Sequence, residues 1–462
     1  MPRSSVPRTA VAISLSVALA AGAAQAADRA AVLAFRTSLT VAEAQDLVSG
    51  RQGFDVCLPN LSVLTAEIAA ALAKPTGFYR LSLPAVESLT PETARALAYR
   101  TGDLDLPGVT SLTPEAAAAL APHRGHLSLC GLSSLSIDVA KELARHSGHL
   151  SLSGLTELTP EVAVALARQT GRLSLPGIPA VSVATAGAIA RHRGASLTLA
   201  GLTRLPADVA DALAPHRGTL ILPRLAELPA DTAAALARHV GPLTLDGLGG
   251  LSVEAAAALA AHDGALTLRG LSVLPPAVAL ALAAHQGTLS LPGIHLLTAD
   301  VAAAFAMHRG VLCLPSVATL SAAAAEALAM HRGGLVLSGL TTLSPDAARA
   351  LAGHEGEIDL YTLAQSAPLD SVDLARLLTE KIRLLSLPKV LRLDATDAVA
   401  IADTLARSTG SVSLPNLKAA SPATVAALLA GRNVAIPPLD EIEMLVEPSA
   451  GEPLVQGDVG GD

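Results

Sequence analysis

The 462-residue chain has no tryptophan, three tyrosines and four phenylalanines. A core built around aromatic rings is therefore excluded, and so is a row of stacking rings for sugars. Hydrophobic residues still make up 51%, so the core must be Leu, Val and Ala. Long apolar runs are also missing. After residue 26, charged residues, His and Gly interrupt every apolar stretch well short of the roughly 18 residues a membrane-spanning helix needs. No basic excess exists either. The formal net charge is −8, and Pro438 to Asp462 holds seven acidic residues without Lys or Arg. The remaining body is nearly neutral, a poor match to nucleic acid.

The first 26 residues read as a cleaved secretory signal. Arg3 and Arg8 form a basic start, Val11 to Ala20 an apolar stretch, and Ala24-Gln25-Ala26 a small-x-small cleavage site. This predicts a secreted or periplasmic protein. Residues 27–52 are expected to cap a repeat region spanning 53–437, and 438–462 to form an acidic disordered tail.

What the chain has in abundance is periodicity. Glycine recurs at Gly102, Gly125, Gly148, Gly171, Gly194, Gly218, Gly241, Gly264, Gly287, Gly310, Gly333 and Gly356, and ten of the eleven gaps are 23 residues. A fixed period of this length marks a solenoid whose repeats bury their apolar faces against their neighbours. The unit GHLSLSGLTELTPEVAVALARQT, from Gly148, shows how. Leu150 and Leu152 alternate with Ser151, as in a half-buried strand. Thr159-Pro160-Glu161 opens a helix with a hydroxyl cap, a proline at the first turn and an acid at the positive dipole end. Val162, Ala163, Leu166 and Ala167 form its inward stripe, and Gly171 stands where a left-handed residue would end it. Anchored on the first strand leucine, about seventeen turns run from Val56 to Val434, irregular after 357. One strand and one helix per turn force neighbouring strands to pair in parallel.

These L-x-L strands, the period and the strand-plus-helix unit resemble the leucine-rich repeat superfamily over roughly residues 40 to 437. The resemblance implies an α/β solenoid, one short parallel strand and one helix per turn, presenting an extended surface to a partner. One departure stands out. Where that family places an asparagine ladder, this chain has Leu132, Leu155 and Leu248, each preceded by a glycine.

In such a repeat, function belongs to columns. Histidine stands two residues before the repeat glycine at His192, His216, His239, His262, His285, His308, His331 and His354, and earlier at His123 and His146. A metal track or a pH sensor is one reading. The favoured one places each histidine in the last helical turn, bonding free carbonyls, because no acid or cysteine accompanies the column. Between the strand leucines runs a row of hydroxyls, Ser82, Ser128, Ser151, Ser174, Thr198, Thr244, Thr267 and Ser290. It is a candidate binding face, set against a plain solvated strand face. Phe54, Phe78 and Tyr79 make a candidate aromatic patch. Prolines such as Pro84, Pro107 and Pro176 follow the second leucine and should stop the ladder.

Cys57, Cys130 and Cys313 fall in distant turns. With stacked strands roughly 4.8 Å apart, no pair reaches the Cα separation of about 6 Å that a disulfide requires, which predicts buried free thiols. No GxSxG, HExxH, CxxC or Walker motif occurs. The reading is a non-enzymatic binding protein without cofactor, whose partner is a protein or glycan on the strand face. The alternative is a structural component of the cell envelope or surface layer.

Overall fold

The computed structural model describes residues 36–48, 55–74, 80–366, 368–394 and 396–445. The candidates Phe54, Phe78 and Tyr79, and the expected signal segment, lie outside them. Two compact units divide the chain: Met1–Leu251 with Ala261–Leu266, and Ser252–Ala260 with Thr267–Asp462.

In the first unit a helix, Val41–Val48, precedes the repeats. Thr40 and Glu43 cap it reciprocally: the Thr40 amide donates to Glu43 Oε2 at 2.8 Å, and the Glu43 amide to Thr40 Oγ1 at 3.2 Å. Two- and three-residue strands follow, from Val56–Cys57 to Leu243–Thr244, each paired in parallel with the next. Their register joins the anchor residues in sequence order: Val56 to Leu81, Leu81 to Leu104, Leu104 to Leu127, and onward to Leu243. The second unit repeats this from Leu289–Ser290 to Ile358–Asp359.

Up to Leu335–Val336, each strand leads into a turn and then a helix of seven or eight residues. Leu83, in the first residue after its strand, still donates to the Asp105 carbonyl, and Pro84 then opens the turn. Thr159 accepts from the Val162 amide at 3.4 Å and Pro160 occupies the first helical turn. Three helices begin at a proline instead, Pro206, Pro229 and Pro275, without a side-chain cap. Strand leucines and the inner helix stripe make the core: Leu150, Leu152 and Leu166 are each fully buried. Burying each contributes about 2 kcal/mol.

Three expectations need correction. Gly171 is not left-handed, because its φ lies outside that region. A Cβ there would fall within 3.0 Å of the Gly148 carbonyl oxygen, and the same clash links each repeat glycine to its predecessor along Gly125–Gly264 and again along Gly310–Gly356. Glycine is required so that successive loops can touch. The thiols are free, but they are not buried: Cys57 is exposed, and Cys130 and Cys313 are half-buried. Cys57 and Cys313 occupy the outward strand position, which the alternation of the strand turns away from the core. The acidic C-terminal segment, expected to be disordered from 438, begins with structure. Leu439–Glu441 form a 3₁₀ turn and Glu443–Met444 pair with Ala419–Ala420.

The missing asparagine ladder also has a physical replacement. Leu155 is buried at 1% exposure, and its amide donates to the Leu152 carbonyl at 3.3 Å. Gly154 lies so close to the Cys130 carbonyl of the preceding turn that no side chain fits. The turn is held by apolar burial and backbone contact rather than by an amide side chain.

Candidate functional site

The strand face of the first unit is set by register. Ser82, Asp105, Ser128, Ser151, Ser174, Thr198, Ile221 and Thr244 lie side by side on successive strands. The candidate hydroxyls therefore form one row, interrupted by Asp105 and Ile221. They are less solvated than a plain strand face would be: Ser82, Ser128 and Ser151 are buried, and the others are half-buried. Ser82 Oγ donates to Asp105 Oδ2 at 2.9 Å. Ser128 Oγ lies 3.0 Å from Cys130 Sγ, and Ser151 Oγ 3.1 Å from Ser153 Oγ. In the second unit Ser290 is followed in register by Cys313, Val336 and Asp359, so the row loses its hydroxyl character.

One cluster on this face went unnoticed in the sequence. The residues just before the first strand leucine include Arg80, Asp103, His126, His149 and Arg172. The rings of His126 and His149 stack at 4.2 Å with 9° between their planes. The His126 amide donates to Asp103 Oδ1 at 3.1 Å. Burial lowers the pKa of His126, opposed by Asp103 and assisted by Arg80. His149 is pushed down to about 4, by burial first, then by His126 and Arg172. Burial thus disfavours the protonated form of both imidazoles, and His126 stands beside the carboxylates of Asp103 and Asp105. The available signal was the identical stretch GHLSL at Gly125–Leu129 and Gly148–Leu152.

The histidine column is an interior feature. His123, His146, His216, His285 and His308 are fully buried, and His192 is 2% exposed. These residues lie beyond the helix ends, not in the last turn: the Val183–Ile189 helix is over before His192, whose amide donates to the Ile189 carbonyl at 2.9 Å. Rings in successive turns stack, with centroids 6.0 Å apart for His123–His146, 5.6 Å for His192–His216 and 5.9 Å for His239–His262. In the second unit His285–His308 stands at 6.1 Å and His331–His354 at 5.9 Å. Carbonyl bonding, the expected role, holds for only some of them. His216 Nδ1 donates to the His192 carbonyl at 3.1 Å, and His239 Nδ1 lies 3.4 Å from the Ala214 carbonyl. Among the described residues, neither ring nitrogen of His123, His146, His308, His331 or His354 makes a hydrogen bond of standard geometry. Gln169 fills the gap in the series. Its amide donates to the Gly148 carbonyl at 2.8 Å, and its oxygen accepts from His192 Nε2 at 2.8 Å. Among the described residues, no group of three His, Cys, Asp or Glu is arranged to hold a metal ion.

Among the described residues no helix is long and apolar enough to cross a membrane. No family model and no curated protein sequence matches the chain. Several solved structures are similar to it. A leucine-rich repeat protein of Leptospira interrogans is 19% identical, over 75% of this chain and 93% of that one, with a TM-score of 0.36. A chain of the Drosophila Toll–Spatzle complex is 12% identical over 83% of this chain and 61% of its own, at 0.44. An internalin of Listeria monocytogenes is 14% identical over 73% and 94%, at 0.35. The register of the L-x-L strands, with one helix closing each turn, makes the fold an α/β solenoid of the leucine-rich-repeat type.

Proposed function

We propose that this is a secreted or periplasmic, non-enzymatic protein that binds a protein partner through the strand face of its first unit. The observation that carries the reading is the Asp103, Asp105, His126 and His149 cluster, where paired imidazoles and carboxylates share one face beside a row of buried and half-buried hydroxyls. Directional donors and acceptors on short strands suit recognition of a shaped polar surface. A glycan on the same hydroxyl row is a weaker fit, because the row carries no aromatic ring. A structural role in the envelope is the second reading, and the blander strand face of the second unit, with Val336 and Cys313 in the row, favours it.

The test is a pull-down from an envelope fraction with the full chain, followed by rebinding of the identified protein in purified form. Replacing Asp103, His126 and His149 together by Ala should abolish rebinding while leaving the circular dichroism spectrum unchanged. Equal rebinding by the folded variant would move the interface elsewhere.

A further inference from the structure

The burial of the histidine column has a consequence for its sequence neighbours. The twelve positions flanking the column between Pro122 and Val240 are Pro122, Arg124, Arg145, Ser147, Arg168, Thr170, Arg191, Arg193, Pro215, Arg217, Arg238 and Val240; seven are arginine and none is acidic. All seven arginines are exposed. With the rings between them stepping 5.6–6.0 Å per turn, the guanidinium-bearing residues are carried along one edge at the end of the helices. Arg145 and Arg238 hold Glu142 and Asp211 at 2.9 and 2.6 Å. Arg124, Arg168, Arg191, Arg193 and Arg217 have no ion pair among the described residues. Five acids of these turns, Glu115, Asp138, Glu161, Asp208 and Asp231, sit in the first turn of their helices, at the opposite end, while Glu142 and Asp211 lie nearer and are the two already paired. A nearly neutral body therefore conceals one strongly basic edge. In the second unit the corresponding positions are Ala284, Gln286, Met307, Arg309, Met330, Arg332, Gly353 and Glu355, and the basic row fades.

We infer that this arginine edge binds a linear acidic polysaccharide, one carboxylate or sulfate group per turn of the repeat. Arginine presents a planar fork that engages such groups with two parallel hydrogen bonds. A single row of charges fits an extended chain. A membrane surface calls for apolar side chains to insert beside the cations, and Val240 alone among these positions could supply one. Single-stranded nucleic acid calls for rings on which bases stack, and the row contains none. The edge and the strand-face cluster use different residues, so each reading is tested by its own variant.

Polygalacturonate titrated against the full-length protein at several salt concentrations tests the inference. Wild type should bind, with affinity falling steeply as salt rises. The triple variant Arg168→Gln/Arg191→Gln/Arg193→Gln should lose about tenfold or more at low salt and show a shallower salt dependence, by analogy with counterion release from other polyanions. Arg309→Gln/Arg332→Gln in the second unit, and the strand-face variant, should bind as wild type does. Three results would overturn the inference: unchanged binding by the folded triple variant, an equal loss in the second-unit variant, or tighter binding of oligo-dT or phosphatidylglycerol vesicles than of polygalacturonate.

Discussion

The turns up to Asp359 and those after it use the same leucines differently. In the regular turns one strand serves each helix, spacing is 23 residues in all but two, and from Leu104 on a buried polar side chain, Arg100, Gln169 or an imidazole, fills the loop that returns to the strand. Beyond Asp359 a helix, Tyr361–Ser366, follows the strand directly. The strands then separate into two three-stranded sheets, one through Leu384–Ser386, Ser411–Ser413 and Val434–Ala435, the other through Arg392–Leu393, Ala419–Ala420 and Glu443–Met444. The histidine column stops at His354, whose carbonyl accepts from Lys381 Nζ. Gly410 nonetheless keeps the close approach, now to the Arg383 carbonyl. The glycine contact is thus the general requirement for stacking loops, and the histidine marks the regular turns alone.

That comparison breaks most visibly at a repeat glycine. Gly194→Ala would drive a Cβ into the Gly171 carbonyl and against the His192 ring, and backbone cannot give way as a flexible side chain can. A loss of about 3 kcal/mol or more is expected, read as a large drop in the urea midpoint. A midpoint within error of wild type would mean that the loops are not held in contact by glycine.

A smaller loss should follow from placing an asparagine at the turn leucine. Leu155→Asn places an amide where 1% of the leucine is exposed, in a turn whose backbone bond is already made. Burial is lost and no ladder of neighbouring amides exists to receive the side chain, so about 2 kcal/mol should go. A stabilised variant would show that the turn is waiting for the amide.

Much of this fold was legible in the chain. The L-x-L anchors, the hydroxyl-Pro-acid helix starts and the parallel pairing follow from periods of 2, 3.6 and 23, which are local properties. Contacts between turns were not legible. Gly171 reads as a helix terminator in one repeat and becomes a point of loop contact only when Gly148 lies beside it. His126 and His149 look like isolated loop residues until register stacks them. Cys57 and Cys313 are apolar by composition, yet strand alternation turns them outward. Neighbour-to-neighbour geometry was the missing information in each case.

The histidine column makes a pH-dependent prediction that the turns after Asp359, which lack it, should not share. Burial is the leading cause that lowers the pKa values of His123, His146, His192, His216, His239, His308, His331 and His354 from 6.5, to about 4 for His123, His192 and His331. Neighbouring imidazoles add to the effect, as do Arg100 beside His123 and Lys381 beside His354. The unfolded imidazole takes its proton first as pH falls, so stability is complete above about 6.5 and declines toward 4. Each such group contributes about 1.4 kcal/mol per pH unit inside that window. Urea midpoints from pH 8 to 4 should be flat and then fall. For His331→Gln the fall should be shallower by one group's share, and an identical slope would remove the imidazole as the cause.

The smallest effect has the opposite sign. Gly187 lies within the Val183–Ile189 helix, and a Cβ built there meets nothing within 4 Å. It takes part in none of the loop contacts that make Gly194 irreplaceable. Alanine at this site should reduce the freedom of the unfolded chain and favour the helix, stabilising the protein by about 0.5–1 kcal/mol. The two substitutions are seven residues apart in one repeat and chemically identical. If both destabilise, the helix face at Gly187 is occupied by something beyond the chain, and the contrast between contact glycines and free ones fails at its open end.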